Sequence, residues 1–369
     1  MNCFTVNKYM KTCEKRGTRK LYIDVLRIIA IYMVLFNHSS KAGFMLFTVA
    51  RDSELYFFYV LNSCFIKAGV PLFFMISGAL LLNRNESIKY ILKHRFTKYL
   101  IALSCASLIT YIACCMFAKG YYPNPSVGDF LTLLFSYRIA TAYWYLYAYL
   151  GFILMLPLLR KMAQSISDYC YIYIFVLHIL LNFLSMIEYI VWQGDIVHSK
   201  YFNVFITIDY IFYPLMGYYI EHRIDNSFYK RKNVILILLL CVLSICLCGA
   251  MTHYRCVSIN EWAESSCQNF MDSFVIVWAG GLFICAKYFF TNYSISDHIS
   301  KAIETMGGVT FGIYLFERIW RHATYPIYEI LTPIIHTLPA CWLWILTACI
   351  LGGAATFVMK KIPFIRGLL

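Results

Sequence analysis

The sequence predicts an all-α, polytopic membrane protein with about ten transmembrane helices. Three observations carry that expectation. Of the 369 residues, 61% are hydrophobic and only 14% charged, against roughly 25% charged in an average globular chain. Stretches such as 234–250 and 342–358 contain no Asp, Glu, Lys or Arg. A helix of roughly 20 such residues spans about 30 Å of hydrocarbon and satisfies its own backbone hydrogen bonds while doing so. Finally, Lys and Arg recur in every second connecting loop, the pattern of loops retained in the cytoplasm.

In order, the spans fall at about 22–40, 56–82, 97–118, 142–159, 169–189, 202–220, 233–252, 269–289, 307–325 and 341–359. A basic stretch over residues 1–20 precedes them, with Lys8, Lys11, Lys15, Arg16, Arg19 and Lys20. It has no apolar core of its own, so it reads as a cytoplasmic tail and not as a cleaved signal peptide. Residues 21–369 then form a single membrane-embedded domain. The first and ninth spans are interrupted by polar residues. The second carries Lys67, Gly69 and Pro71 near its middle, which predicts a bend or break.

Arg84, Lys89, Lys93, Arg95 and Lys98 cluster after the second span. Arg160 and Lys161 follow the fourth, and Arg223, Lys230, Arg231 and Lys232 the sixth. Lys360, Lys361 and Arg366 follow the tenth. This tracing puts about 22 Lys or Arg inside and about eight outside, with both termini cytoplasmic. An odd number of crossings would leave the basic C-terminal end outside.

Composition also narrows the function. The net charge of +13 is mostly the positive-inside bias, and no nucleic-acid module is recognisable, so no nucleic-acid partner is expected. High aromatic content, 18% with 31 Tyr, suits membrane interfaces. Most of the 15 Cys stand singly in apolar runs, as do Cys241, Cys246 and Cys248, where they serve as small apolar residues. With no paired CxxC set, no metal site is expected. Cys256 and Cys267 share an external loop and are candidates for a disulfide.

Charges inside spans are costly and mark functional interiors. The first span holds Asp24, Arg27 and His38. Arg27 and His38 are eleven positions apart. At about 100° per residue they share one helix face, about 16 Å apart along the axis. One long ligand could contact both. Asp24 lies three residues before Arg27, a spacing that allows a side-chain pair. An anchoring pair near the membrane surface explains these two charges equally well. An imidazole such as His38 suits general-base work near neutral pH, although a lone buried histidine is more often structural.

The stretch from Asp24 to His38, with Arg27, ten residues and then His38, resembles the first helix of the acyltransferase family 3 membrane proteins. Ala30 and Val34 fall where that family often has them. The segment from Ala68 to Gly78, with aromatic residues before Ser77-Gly78, resembles the family's second helix. Lys93 to Lys98 resembles the basic opening of the third helix, Trp144-Tyr145-Leu146 the start of the fourth, and Phe311 to Leu315 a late helix motif. Two departures stand out. The third-helix motif is commonly Arg-x-x-Arg but here ends in Lys98, which lacks the planar fork of arginine. Where the family often has a His in the ninth span, this chain has Glu317. Some members also carry an appended extracytoplasmic hydrolase-like domain, and none is expected here.

The resemblance implies transfer of an acyl group, usually acetyl, from cytoplasmic acyl-CoA to hydroxyls of cell-surface or lipid-linked glycans. The bilayer, acyl-CoA and a glycan acceptor are then the partners, the plasma membrane is the location, and no metal is required. By family position His38 is the base or an acyl-accepting nucleophile, and Arg27 grips the donor. Arg95 and Lys98 are candidates for the CoA phosphates, although a basic cytoplasmic loop is expected there in any case. Ser77 is a candidate hydrogen-bond donor in the site, and Gly78 reads as close helix packing. Asp209 and Glu317 are candidate partners for Lys67. These placements lead to an expectation that Arg27, His38 and Arg95 surround one cavity open to the cytoplasm. A secondary transporter or flippase for a saccharide or lipid carrier is the alternative reading, and a non-catalytic scaffold the third. Neither accounts for the Arg27/His38 spacing.

Overall fold

Helix α1 (Leu21–Asn37) stands inside a bundle of helices, and Leu26, Ala30, Leu35 and Phe36 along it have no accessible surface. The computed structural model describes residues 19–117, 122, 124–136, 138–192, 204–264 and 268–369. Among the described residues helix makes up 81%, and no strand occurs. After α1 come α2 (Tyr56–Ile66), α3 (Gly69–Leu81), α4 (Ile88–Phe117), α5 (Val127–Phe135), α6 (Trp144–Ser165), α7 (Asp168–Trp192) and α8 (Asp209–His222). They are followed by α9 (Arg231–Ser258), α10 (Gln268–Asn292), α11 (Asp297–Gly307), α12 (Thr310–Leu315), α13 (Glu317–Leu331), α14 (Thr337–Met359) and α15 (Pro363–Leu368).

Seven stretches are long and apolar enough to cross a bilayer: Tyr56–Leu81, Ile88–Phe117, Thr141–Ser165, Asp168–Glu188, Arg231–Ser258, Phe270–Asn292 and Thr337–Met359. The other three expected spans are helical but fall short of that measure. The first is the 17-residue α1 and the sixth the 14-residue α8. The ninth is broken at Phe316 (φ −117°, ψ 25°) into α12 and α13. The physical reason is position. Helices α7 and α9 expose rows of apolar side chains such as Val176, Ile179, Leu239 and Val242, as a lipid-facing helix does. Helices α1 and α8 are wrapped by protein, so the thickness of the bilayer does not set their length.

The break expected near Lys67 is present: α2 ends at Ile66 and α3 begins at Gly69. Helix α3 then packs against α8 at backbone distance. A Cβ on Gly78 would lie 1.8 Å from Pro214 O, and one on Gly217 would lie 2.0 Å from Met75 O. Each glycine thus admits the other helix's backbone, which bears out the packing role read for Gly78.

The basic loops meet at one end of the bundle. Lys20 pairs with Glu221 at the end of α8. Arg160 at the end of α6 reaches Glu86 at 2.8 Å, and Lys360 donates to Gly308 O at 2.8 Å. Glu86, in the loop before α4, also receives Arg95 Nε at 2.7 Å. The hydrogen bond from Arg95, followed by that from Arg160, holds the Glu86 carboxyl at about 2. Most of the basic tail, residues 1–18, and Cys267 of the expected Cys256–Cys267 pair lie outside the described residues.

Candidate active site

Near the start of α1, Asp24 is fully buried and accepts from two arginines. Arg27 Nη1 donates to its Oδ1 at 2.9 Å, and Arg19 Nε to its Oδ2 at 2.6 Å. Arg19 also donates to Glu304 O on α11 at 2.6 Å. Gly307 closes over the carboxylate, since a Cβ there would sit 2.5 Å from Asp24 Oδ1. A buried carboxylate needs such pairing, and the pairing in turn fixes the direction of Arg27. The Asp24/Arg27 pair read from the spacing is therefore present, with Arg19 added to it.

Arg27 lines a cavity of about 330 Å³ at the basic end, together with Arg84, Arg95 and Lys98. Arg95 lies in a widened π-type turn, Ile91–Phe96, within α4, a distortion that often marks functional positions. Its guanidinium makes a two-point contact with Glu86. Lys98 has positive neighbours, Lys360 and Arg95, and no carboxylate pairs with it among the described residues. Ser77 is also in this wall, where its hydroxyl donates to Phe73 O at 2.9 Å within α3.

His38 caps the far end of α1 and lines a second cavity, of about 290 Å³, with Asn37, Lys67, Asp209, Glu264 and Asp272. Its Nδ1 is shielded and lies 3.5 Å from Oε2 of Glu317. Glu317 is buried at the first position of α13. The break before it frees the Leu315 carbonyl, which accepts from Tyr143 Oη at 2.6 Å. Arg321, one turn further on, donates to Glu317 Oε2 at 2.6 Å and to His38 O at 2.7 Å. Lys67 pairs with neither Asp209 nor Glu317. Its Nζ is 3.5 Å from Glu264 Oε1, because the turn between α2 and α3 directs it toward the segment before α10.

The expected single cavity is thus two. Phe73, Tyr145 and Tyr314 belong to the walls of both. The rings of Phe73 and Tyr145 are 6.0 Å apart, and those of Tyr145 and Tyr314 are 5.5 Å apart. Arg27 and Arg95 stand on one side of these rings and His38 on the other. About 16 Å of helix separates Arg27 from His38, and aromatic side chains from three neighbouring helices fill part of that gap.

A family model described as an acyltransferase domain matches residues 20–359. The chain belongs to acyltransferase family 3. No curated protein and no solved structure matches it. The match takes in every helix that forms the two cavities of this acyltransferase, and its apolar helices make it a multi-pass membrane protein. Sequence reading offered the acyltransferase's Glu317 as a partner for Lys67, not for His38, and passed over Arg321, Glu86, Glu264 and Asp272. A signal for Arg321 was available, since Glu317 and Arg321 stand at the i,i+4 spacing of a helical ion pair. Glu86 meets the nearby Arg84 and Arg95 as well as the distant Arg160, whereas Glu264 meets Lys67, remote in the chain, which nothing local marks.

Proposed function

We propose that the protein moves an acyl group, acetyl in the first place, from cytoplasmic acyl-CoA to a hydroxyl of a cell-surface polysaccharide or lipid-linked glycan. It does so in the plasma membrane, with about ten crossings and both termini in the cytoplasm. The observation that carries this reading is the pair of adjoining cavities, one walled by Arg27, Arg95 and Lys98 and the other by His38. Membership of the family supports the reaction class. The basic loops border the first cavity, so the phosphates of a CoA would meet cations there.

In this reading His38 is the general base. Its Nδ1 faces Glu317, which leaves the other ring nitrogen for the acceptor hydroxyl. The hydroxyl oxygen forms a bond to the acyl carbon as the carbon–sulfur bond breaks. The hydroxyl proton passes to His38 and then to the departing CoA thiolate. Glu317, held by Arg321, is a positioning residue for the imidazole, and Asp24 is one for Arg27. Arg27, Arg95 and Lys98 hold the donor.

The test is purified protein in lipid vesicles, given labelled acetyl-CoA and a surface glycan extract. Label in base-labile glycan ester is the expected result. Movement of a saccharide or lipid carrier across the vesicle with no ester formed would sink this reading in favour of a transporter.

A further inference from the structure

We propose that Phe73, Tyr145 and Tyr314 form the gate through which the acyl arm passes from the basic cavity to His38, and that this gate restricts the donor to short acyl chains. The inference rests on the acyl-transfer reading and adds the donor class and the residues that select it. These three side chains are shared by the two cavity walls. They come from three different helices, α3, α6 and α12.

The three rings differ in how firmly they are held. Tyr314 is buried, and its hydroxyl donates to Ala142 O. Tyr145 is braced edge-on against Tyr314 and packs against Phe74 at 4.9 Å and Tyr149 at 5.7 Å. Phe73 has no polar atom to tether it and is only partly buried. Its backbone is fixed within α3, where Phe73 O accepts from Ser77. Phe73 is therefore the leaf that moves, and the two tyrosines are the posts.

A barrier of this kind has two consequences. Water is kept from the thioester while it crosses between cavities, which limits wasteful hydrolysis. The wall of the chamber beyond the rings also carries charged groups, Asp209, Glu264, Asp272 and Lys67, among its apolar residues. A long hydrocarbon tail pushed past Phe73 would lie against carboxylates and gain little from burial, whereas a two-carbon group places almost no apolar surface there. The rings that part the two cavities and the charged groups beyond them therefore select the same donor class.

The experiment measures glycan esterification by the purified protein with acetyl-, propionyl-, butyryl- and hexanoyl-CoA. It compares wild type, Phe73→Ala and Phe73→Leu, each normalised to folded protein by size exclusion. The leucine variant keeps most of the packing if the alanine one is poorly folded. The expected result is at least a tenfold fall in the acetyl-over-butyryl preference in Phe73→Ala, a smaller fall in Phe73→Leu, and faster acceptor-independent thioester hydrolysis in both. Acetyl transfer by wild type with an unchanged chain-length preference in both folded variants overturns the gate and leaves the acyl-transfer reading standing. Absence of transfer by wild type from every donor overturns both.

Discussion

The imidazole of His38 and the carboxylate of Glu317 face each other across the end of the central helix, Nδ1 to Oε2 at 3.5 Å. Arg321 holds both partners, the carboxylate by its Nε and the His38 carbonyl by its Nη1. A carboxylate behind a histidine orients the ring and stabilises the charge it acquires on taking a proton. His38→Ala is therefore expected to lower acyl transfer by about 10²–10⁴-fold, with insertion and folding intact. The check is esterification rate per folded protein, and near-normal activity would remove His38 from the base role.

Glu317→Gln keeps the shape of the side chain and removes its charge. Loss of such an orienting partner is expected to cost about 10–100-fold in activity. The loss should fall on kcat and leave the KM for acetyl-CoA unchanged, because Glu317 does not touch the donor cavity. Arg321→Ala should instead show itself in stability. It leaves a buried carboxylate without its cation, at a cost of about 3–5 kcal/mol, read as a fall in Tm in detergent.

Lys98 is the donor-cavity cation that no carboxylate pairs with among the described residues, whereas Arg27 and Arg95 are engaged by Asp24 and Glu86. Lys98→Ala is expected to raise the KM for acetyl-CoA about tenfold, the worth of a charge-assisted hydrogen bond, with little change in kcat. Initial-rate kinetics over a range of donor concentration separate the two. An unchanged KM would take Lys98 out of the phosphate grip.

Gly78→Ala places a methyl group where Pro214 O now lies 1.8 Å away. Backbone cannot swing aside as a side chain can, so α3 and α8 must part. Destabilisation of about 1–3 kcal/mol or more is expected from such overpacking. Thermal unfolding in detergent measures it, and a Tm within error of wild type would mean that the two helices are not this close.

Glu86 supplies a pH test at the basic end. Its folded-state value of about 2 lies below the ordinary glutamate value of about 4.3. A depressed acid contributes stability that is complete above the unfolded value and is lost as pH falls through the folded one. The Tm difference between wild type and Glu86→Gln should therefore be flat from about pH 5 to 8. It should shrink between about pH 4 and 2. A difference that changes across neutral pH would assign the effect to another group.

Composition and loop charge alone determine that the chain is a helical membrane protein with its basic loops on one side. Both properties are local: a helix closes its hydrogen bonds within one segment, and partition into lipid depends on that segment's own side chains. The Arg27/His38 spacing, the Asp24 pair and the break between Ile66 and Gly69 are local as well, and each is legible in a few residues. Which helices face lipid and which face protein was decided only by the tertiary structure, and this is why α1 and α8 are shorter than free-standing spans. The tertiary structure also decided that Glu317 stands behind His38, that Lys67 meets Glu264, and that three rings part the cavity of Arg27 from that of His38. Those contacts join helix faces remote from one another in the chain. The periodicity of a helix says which of its faces is polar, and only packing decides what that face meets.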